Sequence, residues 1–202
     1  MISLFEIESL TDLLLLPWLD LYETAFPPGE RVLVSRVLDV LYMRARGDRG
    51  RHLLAVVNPE NSLVGIVFDY EPEGGEAAFL WYFAIDPQMR GHGLGAQVYK
   101  RLLERLGPQV RALIFDLEDP TKMETPEAVS LAERRVAFYR RLGARLLGGI
   151  EYIQFVAPHL PPLPLLLMAH PIREISPQEA FDLARAEFGE ESLKQVGELR
   201  WK

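Results

Sequence analysis

The stretch 86-DPQMRGHGLGAQVYKRLLERL-106 sets Gly91, Gly93 and Gly95 at alternate positions in front of a helical pattern. Behind the glycines, Leu94, Val98, Leu102, Leu103 and Leu106 recur at the three- and four-residue spacing of one buried helix face. A loop of this kind turns successive backbone N–H groups toward one point, because no Cβ blocks the backbone angles or an approaching ligand. The helix behind it adds its unpaired first-turn amides and the positive end of its dipole. Together they make a nest for a diphosphate that needs no metal.

Working outward, residues 77–86 (AAFLWYFAID) form a strand-like run before the loop, and 112–118 (ALIFDLE) form another after the helix. A strand–helix–strand crossover predicts that these two strands are parallel. Upstream, 52–58 and 63–71 are strand-like and are followed by the turn signals PENS and PEGGE. Such short links force antiparallel pairing, so these runs and 77–86 make a meander. Residues 2–8 alternate as a first strand. Thr11 is the expected cap of a helix over 12–25, stopped by Phe26-Pro27-Pro28, and 32–45 repeat as a second helix. Past the irregular 119-DPTKMETPEA-128, a helix is expected over 129–142, stopped by Gly143, with strands near 150–156 and 164–169. Pro177 reads as the first-turn proline of a last helix capped by Ser176. The expected fold is α+β in three layers: a mixed, largely antiparallel sheet of about six to seven strands with helices on both faces. Residues 1–170 are read as one domain and 171–202 as a C-terminal helical appendage.

Composition narrows the function. The chain has 202 residues, a net charge of -7 and no cysteine. An acidic surface is a poor partner for nucleic acid. Without cysteine there is no disulfide, no thiolate metal site and no cysteine nucleophile. His159 and His170 show no metal-ligand spacing, so no metal is expected. The segment MISLFEIESL lacks a basic stretch typical of a secretory leader, and the apolar runs at 13–16 and 165–169 are too short to span a bilayer. A soluble, cytoplasmic protein without a membrane partner is the expectation.

The glycines admit a second reading. Gly91-x-Gly93-x-x-Ala96 matches the dinucleotide fingerprint of a NAD(P)-dependent enzyme, with Asp116 or Glu118 as the ribose-binding acid. Against it, a meander precedes the loop, five residues separate strand and first glycine, and only one crossover unit is visible. The segment Gln88-x-x-Gly91-x-Gly93, following the strand FLWYFAIDP, instead resembles the acyl-CoA-binding motif of the GNAT (N-acetyltransferase) superfamily. Downstream, 137-AFYRRLGA-144 resembles the later helix of that family, and 22-YETAFPPGER-31 its first helix and substrate loop. The resemblance covers roughly residues 1–157.

The resemblance implies acetyl-CoA as co-substrate, its diphosphate on the amides of Arg90, Gly91, His92, Gly93, Leu94, Gly95 and Ala96. It implies that the strands 77–86 and 112–118 splay apart, freeing Phe83, Ala84 and Ile85 to bond the pantetheine arm, with the Ala84 N–H facing the acyl oxygen. A primary amine on a small molecule or peptide would attack directly. Because a free alkyl amine has a pKa of about 10.4, a base or water relay is needed. Tyr139 is the implied proton donor to the thiolate, Glu118 the candidate base, and Asp116 a weaker one. Tyr82, taken to point away from Trp81, and Glu30 are candidates for the acceptor site, against plain readings as a sheet aromatic and a loop charge. Lys100 and Arg101 are candidates for the 3′-phosphate of CoA. The sequence departs from the family pattern at Ala132, where many members carry asparagine, at Ala144, where an aromatic is common, and in 79–83, which hold no glutamate. These departures keep a non-catalytic acyl-CoA sensor as an alternative. The last helix either joins two copies as a homodimer or folds over the active site.

Overall fold

The computed structural model describes residues 2–155 and 161–202. His159 and the last residue of the strand expected near 150–156 lie outside them. In chain order the elements are β1 (Ser3–Glu6), α1 (Leu15–Ala25), α2 (Val34–Ala45), β2 (Arg51–Val57), β3 (Leu63–Tyr70), β4 (Ala77–Ile85), α3 (Leu94–Arg105), β5 (Ala112–Glu118), α4 (Pro126–Arg141), β6 (Arg145–Gln154), β7 (Leu163–Pro171), α5 (Pro177–Phe188) and β8 (Leu193–Trp201). Among the described residues the strands follow the order β1-β2-β3-β4-β5-β7-β6-β8 in one 8-stranded sheet. That is slightly more than the six or seven expected. Packing divides the chain into two units, Met1–Gly74 with Leu80–Pro108 and Gly75–Phe79 with Gln109–Lys202.

The first unit is the meander. β1–β2 and β2–β3 pair antiparallel, as the short turns require. Alternation sends Leu53, Ala55, Val57, Ile66 and Phe68 to one face, where they form a core with Trp18, Tyr22, Val37, Val40 and Leu41 of α1 and α2. The indole N–H of Trp18 donates to the carbonyl of Leu54 at 3.0 Å, so the ring is buried without stranding its donor. Asp69, next to Phe68, faces the other way and meets Arg105 at the end of α3 at 3.2 Å. Arg105 also reaches Glu6 at 3.4 Å, and Glu6 holds Arg44 at 2.9 Å and His52 at 2.8 Å. This cluster joins β1, α2, β2, β3 and α3. Burial pushes the Asp69 carboxyl up to about 6, against the pull of Arg105 and His52.

In the second unit β4 and β5 are parallel, as the crossover predicts, through Ala77, Ala78 and Phe79 against Ala112, Leu113 and Ile114. β5–β7, β6–β7 and β6–β8 are antiparallel. Neighbouring side chains on β5 show that helices flank both faces. Phe115 packs on Tyr139 of α4 with ring centroids 4.4 Å apart. Asp116 accepts from Tyr152, whose ring lies 5.1 Å from Phe188 of α5.

Several boundaries differ from expectation. α1 starts at Leu15 with Leu14 at its N-cap and no side-chain cap bond, so Thr11 does not cap it, and β6 starts at Arg145 rather than near 150. α4 starts at Pro126 rather than about 129, because Thr125 caps it by accepting from the Ala128 N–H at 3.2 Å. The segment 171–202, read as a helical appendage, holds α5 and also β8, which pairs with β6. β8 gives almost no periodic signal because most of its residues are exposed. The Ser176 cap is present as read, completed by Glu179 into a capping box.

Gly65 on β3 shows how closely β4 approaches it. A Cβ there would stand 2.8 Å from the Ala84 carbonyl oxygen and 2.8 Å from Ile85 Cδ1. Gly65→Ala is therefore expected to destabilise the protein by about 1–3 kcal/mol through overpacking, read as a lower urea midpoint with an unchanged slope.

Candidate active site

The loop between β4 and α3 is built from its own hydrogen bonds. Asp86 donates its N–H to the Val64 carbonyl at 3.0 Å and accepts from the Gln88 N–H at 2.8 Å, starting a short 3-10 turn over Pro87–Met89. Arg90 folds back, its Nε donating to the Ile85 carbonyl at 3.0 Å, while its backbone N–H leans on Pro87 O at 3.4 Å. Gly91 and Gly93 have φ of 87° and 72°, the left-handed region that glycine enters without strain. A Cβ at either would project into open space. The chain leaves both positions clear for something outside it.

Gly93 is the N-cap of α3 and offers no side chain to the helix. The first backbone bond of the helix runs from Gln97 N–H to Gly93 O at 3.2 Å. The amides of Leu94, Gly95 and Ala96 consequently lack an acceptor within the helix. His92 is exposed at the crest of the loop. The first turn of α3 holds no acidic residue, so its backbone donors meet no carboxylate of their own helix.

Just before the loop, Phe83 is half-buried and Ala84 and Ile85 are buried. The register with β5 ends at Phe79, so Leu80 to Ile85 have no partner there. One expectation fails on this strand. Trp81 and Tyr82 do not point to opposite faces: their rings lie 4.9 Å and 6.0 Å from Phe68, and both pack on the same core. Strict period-two alternation does not hold at this pair. Tyr82 is a link to the segment after α1, accepting the Val32 N–H at 3.0 Å.

The two catalytic candidates stand in one local group of the second unit. Tyr139 is 8% exposed on α4. Burial raises its phenol above the ordinary value, with Asp116 adding and Arg135 opposing, so it is protonated at neutral pH. Glu118 ends β5 and is ion-paired with Arg135, one helical turn before Tyr139. The base candidate is thus a carboxylate with a guanidinium on it. Asp116 is pushed up to about 6 by burial, against the hydrogen bond from Tyr152 at 3.1 Å. Ala132, where the family often has asparagine, is buried on α4, and Gly143 closes that helix with φ of 100°. Glu30 is half-buried with its N–H on Pro27 O at 2.9 Å, Lys100 is paired with Glu104 at 3.9 Å, and Arg101 is half-buried on α3. Sequence reasoning missed Arg135 and Tyr152; their partners Glu118 and Asp116 are distant in the chain and leave no local signal. Among the described residues no group of three or more His, Asp or Glu is placed to hold a metal, and no helix is long and apolar enough to cross a membrane.

The family model described as the acetyltransferase (GNAT) family matches residues 15–144, well over half of the chain. The chain belongs to the GNAT acetyltransferase family. The dinucleotide reading of Gly91-x-Gly93-x-x-Ala96 falls, as the antiparallel pairs already indicate. The chain is 30% identical over 118 residues to the L-2,4-diaminobutyric acid acetyltransferase of Nocardia farcinica, a match spanning 55% of this chain and 57% of that protein. A solved structure from Bacteroides thetaiotaomicron assigned to the GNAT family superposes with a TM-score of 0.72 at 21% identity, covering 92% of this chain and 94% of that one. A GNAT acetyltransferase from Elizabethkingia anophelis, solved with acetyl-CoA bound, gives 0.53 at 11% identity over 85% and 98% of the two chains. The spermidine/spermine N-acetyltransferase of Vibrio cholerae gives 0.58 at 14% identity over 92% and 97%. These structures establish the GNAT fold.

Asp116 gives this acetyltransferase a testable pH dependence. Its folded pKa of about 6 lies above the unfolded value of about 3.9, so its contribution is fully present below about pH 4 and is lost as pH rises through 6. Asp116→Asn removes that loss. Relative to the parent, the variant is expected to gain up to about 2–3 kcal/mol in urea unfolding between pH 5 and pH 7.

Proposed function

We propose that this enzyme transfers an acetyl group from acetyl-CoA to a primary amine on a small molecule by direct attack. The observation that carries the reading is the uncapped mouth of α3 behind Gly91 and Gly93, whose missing side chains leave room for a diphosphate. The acetyl-CoA held by the Elizabethkingia protein supports the choice of donor. The diaminobutyrate and spermidine acetylated by the Nocardia and Vibrio proteins, as their names state, support a small amine as acceptor.

When bound, acetyl-CoA supplies the activated acyl group as a thioester. The amides of Gly91 through Ala96 would hold its diphosphate, and the backbone of Phe83, Ala84 and Ile85 would run beside its arm, with the Ala84 N–H toward the acyl oxygen as negative charge develops there. One N–C bond forms and one C–S bond breaks. The amine loses one proton and the departing thiolate gains one. Tyr139 is assigned the second transfer because its raised pKa keeps it a donor. Glu118 shares Arg135 with that phenol and is assigned the first.

Acetyl-CoA is expected to raise the melting temperature of the parent protein and not that of Gly93→Val, whose β-branched residue fits poorly at φ of 72° and fills the cradle. An equal shift in both proteins would remove the cradle from the proposal. Tyr139→Phe is expected to lower kcat about 100-fold or more in a thiol-release assay while leaving the KM for acetyl-CoA nearly unchanged. An unchanged kcat across pH would remove the phenol from the reaction.

A further inference from the structure

Arg31 sits in the segment that joins α1 to α2. Its side chain is only 16% exposed, and its guanidinium lies 5.9 Å from the centre of the Tyr22 ring. Glu23 Oε1 stands 2.9 Å from Arg31 Nη1, yet that buried nitrogen makes no hydrogen bond. The carboxylate therefore lies out of line with the N–H bonds, attracting the charge without accepting a hydrogen bond. Glu23 itself is 51% exposed, so half of it faces water rather than its partner. A guanidinium presents five N–H donors in a planar fork suited to a carboxylate. This one is largely desolvated and has donor capacity left over.

Its position is fixed through the next residue. Tyr22 Oη donates to the Val32 carbonyl at 3.0 Å, and the Val32 N–H donates to Tyr82 Oη at 3.0 Å. Two tyrosines therefore hold Val32 through both its N–H and its carbonyl. The Tyr82 ring packs edge-on to Tyr22 at 4.9 Å and to Phe26 at 5.0 Å. Tyr82 immediately precedes Phe83, Ala84 and Ile85, the stretch of β4 assigned to the acyl donor. So the segment carrying a partly unused guanidinium is clamped to the strand where the acyl group is held, with aromatic rings beside it.

We infer that Arg31 anchors an acidic group of the acceptor, so that the amine acetylated belongs to a molecule that also carries a carboxylate, such as a short diamino acid. This rests on the acetyl transfer proposed above. The carboxylate supplies the in-line acceptor that Glu23 does not, and the half-buried rings of Phe26 and Tyr82 suit the methylene chain between the two charged ends. Selectivity then comes from a buried donor that a simple diamine leaves unbonded.

The test is thiol release from acetyl-CoA with acceptors that differ only by the carboxylate: 2,4-diaminobutyrate against 1,3-diaminopropane, and ornithine against putrescine. The parent enzyme is expected to favour the amino acid of each pair by about 10–100-fold in kcat/KM, mainly through KM. Arg31→Gln is expected to bring that ratio close to unity, and Arg31→Lys to keep part of it. Melting temperatures of both variants with acetyl-CoA confirm folding and donor binding. A parent enzyme that favours the diamines, or an Arg31→Gln variant that keeps the full ratio, overturns the inference. Thiol release with other amines but with neither diamino acid also overturns it, while the acetyl transfer proposal stands. A parent protein that acetyl-CoA does not stabilise overturns both.

Discussion

Helix α3 begins with backbone amides that neither its own turns nor a capping side chain can satisfy. Ser176 at α5 and Thr125 at α4 close their helix starts with a side-chain oxygen, while α1 and α2, like α3, have no side-chain cap. At α3 the same position is Gly93, in a left-handed conformation, with a second left-handed glycine two residues earlier and space where their Cβ atoms would stand. An uncapped dipole end in an acidic protein is a standing demand for an anion. The loop bonds of Asp86, Gln88 and Arg90 hold that mouth open without using the first-turn amides of Leu94, Gly95 and Ala96.

The strand before the mouth is shaped by the same economy of side chains. Gly65 lets the Ala84 carbonyl come where a methyl group would otherwise sit, and Trp81 and Tyr82 share a core instead of alternating. β4 is thus a strand whose first residues pair in parallel and whose last residues are steered by close packing with β3. Tyr82 extends that steering to Val32, so the position of Arg31 depends on β4 as well as on its own segment.

Local signals in the sequence carry the elements around α3. The strand-like apolar runs at 52–57 and 63–70, the short turns, and the glycines followed by a three-to-four repeat are all short-range signals. What escapes is long-range or unpatterned. β8 shows no alternation because its residues are mostly exposed, so it looks like loop until β6 pairs with it. Thr125 is a cap only because Pro126 can begin a helix, and the surrounding acidic run hides it. Around the candidate site, the turn before α3 is legible since glycine has few reasons to recur at alternate positions before a helix. Side-chain roles are less so. Nothing near Glu118 in sequence announces Arg135, and nothing near Tyr22 announces that two hydroxyls would meet at Val32.

The tie between Glu6 and Arg105 joins residues 99 positions apart. The first packing unit needs both ends of that span, yet it uses almost nothing beyond Pro108. The second unit must instead reach back for Gly75–Phe79, inside the span the first has closed. Closing a long loop costs conformational entropy before its contacts repay it, and folding rates fall as such contacts multiply. The topology therefore favours an order of assembly. As the chain emerges from its N-terminus, the half that holds the glycine loop can be complete before α4 and Tyr139 exist, and it leaves the first residues of β4 for the later half to use.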